Sequence, residues 1–148
     1  MAKFVCEILL TETPLTPPAQ VSPPETGAIV DFWGVIRQTE KGAQIRGIFY
    51  EAHASMAEHQ LRAIAEQAGQ AYGLMQVRIE HRIGFVPAGE ASLLVRVESQ
   101  HRAEAFRGAA WILDELKKRA PIWKQLEPDQ RNAAAPTTEP SSAHVSQR

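Results

Sequence analysis

Five prolines between residues 14 and 24 limit what this chain can fold into more than any other local feature. Proline has a fixed φ and no backbone N–H, so a stretch this rich in proline forms neither a regular helix nor a central strand. Residues 11–26 are therefore predicted to run as an extended connector over the surface. The connector separates a first apolar strand, residues 3–10, from the remainder of the chain.

Short extended segments follow this connector. Apolar runs bounded by turn residues indicate strands, and the Lys41-Gly42 loop and the turn with Pro87 and Gly89 join two pairs of them. The predicted strands cover residues 3–10, 28–33, 45–51, 75–84 and 90–98.

Two segments carry apolar residues at helical spacing and therefore predict amphipathic helices. The first, residues 55–72, begins with a capping box formed by Ser55 and Glu58. The second begins at a cap on Ser99 and ends before Pro121. Hairpins combined with two main helices predict an α+β domain with a largely antiparallel sheet.

The composition bounds the classes of function. The chain has 148 residues and a formal net charge of -1, so no overall positive field draws it to nucleic acid. It has one cysteine and no apolar run of about 20 residues, which favours a reducing compartment, the cytoplasm, and no membrane span. One domain is expected over residues 1–126, and the polar composition of residues 127–148 predicts a disordered tail.

Lys117 is the first candidate for chemistry. At 100° per residue it falls inside the predicted apolar face of the second helix. One interpretation is that its methylenes are buried while its amine reaches water, which is common near helix ends. The other is an amine held at the rim of a pocket, where desolvation and nearby cations lower its pKa. The apolar face comprises Phe106, Ala109, Ala110, Leu113, Leu116 and Ala120.

The start of the same helix is also unusual, because His101 and Arg102 place cations where the macrodipole favours anions. Free N–H groups and two cationic side chains suit a phosphate, although a solvated pair without a ligand explains them equally well. Lys124 follows Pro121, so the chain can return it toward Lys117, and Arg37 lies at a strand end. The residues alone thus predict a basic, anion-binding pocket, with no spacing that suggests a metal site.

Five segments of the chain carry a distinctive pattern, and they are GAIVDFWGVIR (27–37), YEAHASMAE (50–58), HRIG (81–84), SQHRAEAF (99–106) and LKKRAPIWK (116–124). The last segment, with Lys117, Pro121 and Lys124, is the most distinctive. In this order the five segments resemble the large, catalytic subunit of molybdopterin synthase, and the similarity extends over residues 27–124.

The resemblance implies an α/β hammerhead-type fold and a central homodimer. Each protomer of that family binds a small ubiquitin-like sulfur-carrier subunit, which gives a heterotetramer. The carrier's C-terminal Gly-Gly thiocarboxylate donates sulfur to cyclic pyranopterin monophosphate (precursor Z), and two transfers make the dithiolene of molybdopterin. No metal or organic cofactor is implied for the enzyme itself.

The resemblance also assigns roles to residues. Lys117 and Lys124 match the family's two active-site lysines, and Lys117 is expected to transfer a proton or stabilise an intermediate. Arg37, His101 and Arg102 match the substrate-binding cations, some of them contributed across the dimer interface.

Several departures leave alternatives open. Leu126 stands where an acidic residue is usual, the C-terminal Trp-Val is absent, and the connector is short. A divergent homologue that binds the carrier without transferring sulfur is the first alternative, and a small nucleic-acid binder is the second. Retention of both lysines and three cations argues against the first, and the near-neutral charge argues against the second.

Overall fold

A computed structural model describes residues 3–129 and 145–147, and within those residues the chain forms nine strands and two helices. The predicted α+β class, with two main helices and mostly antiparallel pairing, is confirmed. The strands are β1 Val5–Thr11, β2 Ala28–Val35, β3 Thr39–Glu40, β4 Ala43–Ala52, β5 Gln76–Arg82, β6 Gly84–Pro87, β7 Ala91–Ser99, β8 Ile122–Pro128 and β9 Val145–Gln147. The helices are α1 Ala54–Tyr72 and α2 Arg102–Arg119.

The first sheet has the strand order β1-β5-β7-β2, and only its β1–β5 pair is parallel. Both helices cover one face of this sheet, because each carries an apolar stripe that must be removed from water. Leu61 and Ile64 of α1 and Ile112 of α2 are fully buried there, against Val77 and Val95 of the sheet. This core fixes the direction of α2.

The proline-rich connector contacts the opposite face of the first sheet through Arg96. Side chains alternate between the faces of a strand, so Arg96 of β7 points away from the core that contains Val95. The Arg96 guanidinium makes a bidentate pair of 2.7 Å contacts with Asp31 and donates to the carbonyl of Ala19 at 2.8 Å. Residues 12–27 form neither a helix nor a strand, and the Arg96 side chain, in a part-buried ion pair with Asp31, holds this connector through the Ala19 carbonyl.

The second sheet has the order β3-β4-β8-β9, with β6 also paired to β4. The sequence predicted one continuous strand over residues 75–84. The structure divides it, because Gly84 adopts a φ of 87° and turns β6 away from β5 to join β4. A small separate core lies in this second region and comprises Ile36, Ile45, Ile48, Val86 and Leu126.

Both predicted helix caps are wrong by two residues. The N-cap of α1 is His53, whose Nδ1 accepts from the backbone N–H of Met56 at 3.4 Å, instead of Ser55. The N-cap of α2 is His101 and makes no side-chain capping bond. Ser99 remains in β7, where its hydroxyl donates to the His101 carbonyl at 2.5 Å. Pairing with β2 extends β7 past the point where propensity predicts the helix.

The predicted boundary between domain and tail falls inside β8. Backbone pairing with β4 continues to Pro128, and the buried Leu126 anchors the strand, so Glu127 is not part of a disordered tail. Residues 145–147 also form a strand, paired antiparallel with β8. The boundary was predicted from composition, which reports only the polarity of side chains. These residues are ordered by main-chain hydrogen bonds, which composition does not reveal. Residues 130–144 and 148 of the predicted tail lie outside the described residues.

Replacement of Ile64 by alanine is expected to destabilise the fold strongly. Ile64 is fully buried between α1 and the first sheet, so the change leaves a cavity that costs about 2–5 kcal/mol. The matched control is Met56→Ala on the same helix, where a side chain that is 54% exposed makes a change within about 0.5 kcal/mol. Urea unfolding of both variants measures the difference, and equal losses would contradict this assignment of the core.

Candidate active site

A cavity of about 580 Å³ opens between the two sheets and the C-terminal half of α2. Its size is within the range of small-molecule sites. Three of the predicted site residues line it together, namely Arg37, Lys117 and Lys124. They come from the segment after β2, from α2 and from β8, so the tertiary fold alone brings them to one place.

Lys117 is exposed at the edge of the cavity and does not lie within the apolar face predicted for it. The buried stripe of α2 is rotated relative to the prediction, because the close approach of Gly108 to Leu74 sets the packed side of the helix. Phe106, counted as a core residue in the sequence, is 60% exposed. Lys117 therefore reaches the cavity from the exposed flank of the helix. The buried residues of α2 are Ala105, Gly108, Ala109, Ile112 and Leu116.

Lys124 reaches the same cavity from β8, as the position of Pro121 predicts. Antiparallel pairing places Lys124 directly opposite Tyr50 of β4. The preceding residues of β8 are anchored by Ile122, which is 5% exposed and also lines the cavity. The position of the lysine is therefore fixed by strand register, which is more restrictive than a loop.

Arg37 is held by an acidic neighbour. Its Nε lies 2.9 Å from a carboxylate oxygen of Glu40, and its terminal nitrogen lies 2.5 Å from the same oxygen. The hairpin through Lys41 and Gly42, both with positive φ, places Glu40 at the wall of the cavity. The Arg37 side chain is 79% exposed, so its guanidinium remains accessible to an anion while the carboxylate orients it.

His101 and Arg102 are exposed at the opposite end of α2 and are not among the described residues that line the cavity. Fifteen residues of helix separate Arg102 from Lys117, which is a rise of about 22 Å. One protomer therefore brings three of the five predicted site residues together and leaves two apart.

Two uncharged polar groups that the sequence did not assign also line the cavity. Burial raises the pKa of the Tyr50 hydroxyl above its usual value of 10.0, and that hydroxyl lies 3.3 Å from the Ser92 hydroxyl. The His81 ring meets Tyr50 edge to face, with 4.9 Å between ring centroids. Burial lowers the pKa of His81 to about 4, against a smaller opposing effect of its hydrogen bond to the Arg82 carbonyl. Both groups are neutral near pH 7.

A family model described as MoaE protein matches residues 10–119, which is more than half of the chain. The chain belongs to the MoaE family. The molybdopterin synthase catalytic subunit of Pyrococcus abyssi is 40% identical over 112 residues, covering 76% of this chain and 76% of that protein. That of Thermoplasma volcanium is 38% identical over 106 residues, covering 72% of this chain and 77% of that protein.

Solved structures agree with this assignment. Molybdopterin synthase from Staphylococcus aureus superimposes with a TM-score of 0.72 at 28% identity and covers 83% of this chain and 90% of that chain. A complex of subunits 1 and 2 of molybdopterin-converting factor from Helicobacter pylori gives a TM-score of 0.62 at 18% identity, with 82% and 83% covered, and shows a likeness of fold alone. The MoaE-family chain is thus a molybdopterin synthase enzyme with a role in molybdenum cofactor biosynthesis, as its resemblance implied.

The departure at Leu126 changes this MoaE-family site locally. Leu126 is buried in the second core, and Glu127 points to the other face of β8, 3.9 Å from Arg46. Glu127 therefore does not replace an acidic group beside Lys124. The acidic side chains among the described residues of the wall are instead Glu40 and Asp114.

Within residues 3–129 and 145–147, no group of three or more His, Cys, Asp or Glu side chains is arranged to hold a metal ion. No helix in the same residues has the length and apolar character needed to cross a bilayer.

The sequence assigns His81 no role, because its context indicates only a strand end. The HRIG segment is part of the resemblance, and a strand-end contact explains it equally well at that level. Two features identify it in the structure: β5 ends at the next residue, Arg82, and Tyr50 of the other sheet packs against the His81 ring. A polar residue near the end of an apolar strand, three positions before a glycine, is the sequence pattern that would have suggested it.

Acidification between about pH 6.5 and pH 4 should destabilise the fold through His81. Its folded pKa of about 4 lies below the unfolded value of 6.5, so the unfolded chain binds more protons in this window. The free energy of unfolding therefore has its full value above pH 6.5 and decreases as the pH falls toward 4. For a ring that borders a cavity, we expect the free energy of unfolding to decrease by about 2–3 kcal/mol over this range. Urea unfolding of wild type and His81→Asn from pH 7 to about pH 4.5 measures this decrease. If the unfolding free energies of the two proteins depended on pH in the same way, the lowered pKa of His81 would be contradicted.

Proposed function

We propose that this protein transfers sulfur from the C-terminal thiocarboxylate of a small carrier subunit to cyclic pyranopterin monophosphate (precursor Z), producing molybdopterin. The observation that supports it most directly is the convergence of Arg37, Lys117 and Lys124 on one cavity in a chain of the MoaE family. The cytoplasm is the proposed compartment, since the single cysteine, Cys6, is a half-buried thiol whose pKa burial raises.

The cations of the cavity suit this reaction because it develops negative charge twice. The cyclic phosphate must open, and the carrier must leave as a carboxylate after giving up its sulfur. Preorganised cations at the edge of a site from which water is partly excluded stabilise both kinds of anion. We assign Lys117 to proton transfer or stabilisation of the intermediate, and Lys124 and Arg37 to positioning and electrostatic stabilisation.

The proposed partner is a small ubiquitin-like carrier that ends in Gly-Gly. A glycine pair has no side chains, so a terminus of this kind suits entry into the cavity between the two sheets. The Helicobacter pylori structure is a complex of subunits 1 and 2 of a molybdopterin-converting factor, and the chain of that complex that matches has the fold seen here. With two copies of the large subunit, the proposed assembly is a heterotetramer.

A second copy of this chain is proposed to pair along β2. Among the described strands, β2 is an edge of the first sheet, and its Phe32 and Val35 are 39% and 53% exposed. Phe106 and Ala110 of α2, which packs against β2, are also exposed. An uncovered edge strand beside an apolar helix surface is a template for pairing with another chain.

The direction of this pairing gives a shared site. A two-fold axis makes two β2 strands antiparallel, so the Ala28 end of one copy meets the Val35 end of the other. Ala28 pairs with Ser99, two residues before His101. The partner's His101 and the partner's Arg102 would then approach Arg37. Two cations that lie outside the cavity in one protomer would complete the phosphate site across the interface.

Replacement of Lys117 by alanine should reduce synthase activity by about 100-fold or more, the usual effect of losing a proton-transfer group. The assay combines thiocarboxylated carrier with precursor Z and measures molybdopterin as its fluorescent oxidation product. Lys118→Ala is the matched control, because that neighbouring lysine is exposed and pairs with Glu115 at 3.6 Å. It should retain activity close to wild type.

Three outcomes of that assay are informative. Equal loss in both variants would indicate a general effect of charge and would remove the specific role of Lys117. Full activity in Lys117→Ala would also show that Lys117 has no specific role. A wild type that binds carrier yet makes no product would replace the proposed enzyme by a docking homologue, the alternative suggested by Leu126.

Mixing two inactive variants tests the shared site. If Lys117 and the partner's Arg102 act in one site, a heterodimer of Lys117→Ala and Arg102→Ala has one fully intact site. Unfolding and refolding the two together should restore about a quarter of wild-type activity, since half the dimers are mixed and each has one good site. If both residues act within one protomer, every site in the mixture carries a defect and no activity returns.

A further inference from the structure

The His81 ring is committed to one tautomer by its surroundings. Its Nδ1 lies 2.7 Å from the carbonyl oxygen of Arg82, and a carbonyl only accepts hydrogen bonds. Nδ1 must therefore carry the proton, which leaves the lone pair on Nε2. Among the described residues, this is the hydrogen bond that the ring makes.

The ring that carries this lone pair lies in the wall of the cavity. His81 lines the cavity together with Lys117 and Lys124, and its ring packs edge to face with Tyr50. Nε2 is on the edge of the imidazole opposite the Arg82 carbonyl. With a pKa of about 4, the ring stays neutral at the pH of the cell and keeps its acceptor.

An acceptor at this place discriminates between the parts of the proposed substrate. A cyclic phosphate diester has only acceptor oxygens, so it gains nothing from Nε2 and is drawn to the cations. A pterin carries ring N–H and amine donors, and a hydroxyl on its pyran ring is also a donor. The cavity thus combines cations that attract the phosphate with a neutral acceptor that suits the heterocycle.

We infer that Nε2 of His81 accepts a hydrogen bond from an N–H or O–H group of the pterin portion of the substrate and orients it beside the two lysines. The inference rests on the proposed function, since it names a contact within that site. It makes His81 a residue of substrate recognition, with no part in binding the carrier.

Two substitutions separate the acceptor from the packing of the ring. The amide nitrogen of asparagine reaches the place of Nδ1, so His81→Asn keeps a donor for the Arg82 carbonyl and removes the acceptor. Glutamine extends to the place of Nε2, so His81→Gln restores an acceptor there. His59→Asn on the exposed side of α1 is the control for loss of an imidazole.

Steady-state kinetics with separate titration of the two substrates gives the test. His81→Asn should raise the KM for the pterin substrate by about 3–10-fold, the range of one neutral hydrogen bond, and leave the KM for the carrier unchanged. His81→Gln should recover most of that loss, and His59→Asn should match wild type. Equal changes in both KM values, or a glutamine variant no better than asparagine, would overturn the inference.

A binding measurement keeps the inference testable if the wild type proves inactive with these substrates. The probe is a phosphate-free pterin added to protein labelled with ¹⁵N in its histidine rings. A shift of the unprotonated Nε2 resonance of His81 on addition of the pterin supports the contact. An unchanged resonance up to the solubility limit of the probe overturns it, whatever the activity assay shows.

Discussion

The antiparallel pairing of β8 with β4 is the interaction on which the cavity depends. It begins just after the helix that carries Lys117 and sets Lys124 opposite Tyr50, so both lysines face one space. Ile122 and Leu126 anchor β8 in the protein interior, which makes its register costly to change. A slip of one residue would turn Lys124 to the other face of the strand and place Trp123 in the cavity.

The cavity separates charged from neutral polar groups. Arg37, Lys117 and Lys124 are cationic, whereas burial keeps Tyr50 and His81 uncharged. Each set suits a different part of a phosphorylated heterocycle. Glu40, an acidic side chain of the cavity wall, orients the Arg37 guanidinium by two contacts to one oxygen. A phosphate that binds there competes with a single exposed ion pair, which is weak.

The sequence predicted the elements of this fold better than their ends or their partners. Periodicity and prolines located both helices, the connector and the first strands, because these patterns are local. The split of one predicted strand at Gly84 depends on pairing with β4, and the ordering of Glu127 depends on the same strand. Neither is encoded in nearby residues. The misplaced face of α2 has a similar origin, since Gly108 packs closely against Leu74 and thereby sets the rotation of the helix.

The cations of the site could be predicted from the resemblance and from their unusual positions in the sequence. Its neutral groups, Tyr50 and His81, could not. Lys124 was expected to return toward Lys117, and it does. His81 has an ordinary position in the sequence and acquires its properties from Tyr50 and the Arg82 carbonyl. His101 and Arg102 show the reverse case, because the sequence singles them out and the structure leaves them away from the cavity. Their helix start has no side-chain cap, and neither residue lines the described cavity. An anion shared across the proposed antiparallel β2 pair would compensate those charges, and this arrangement would account for both the unfavourable helix start and the uncovered edge strand.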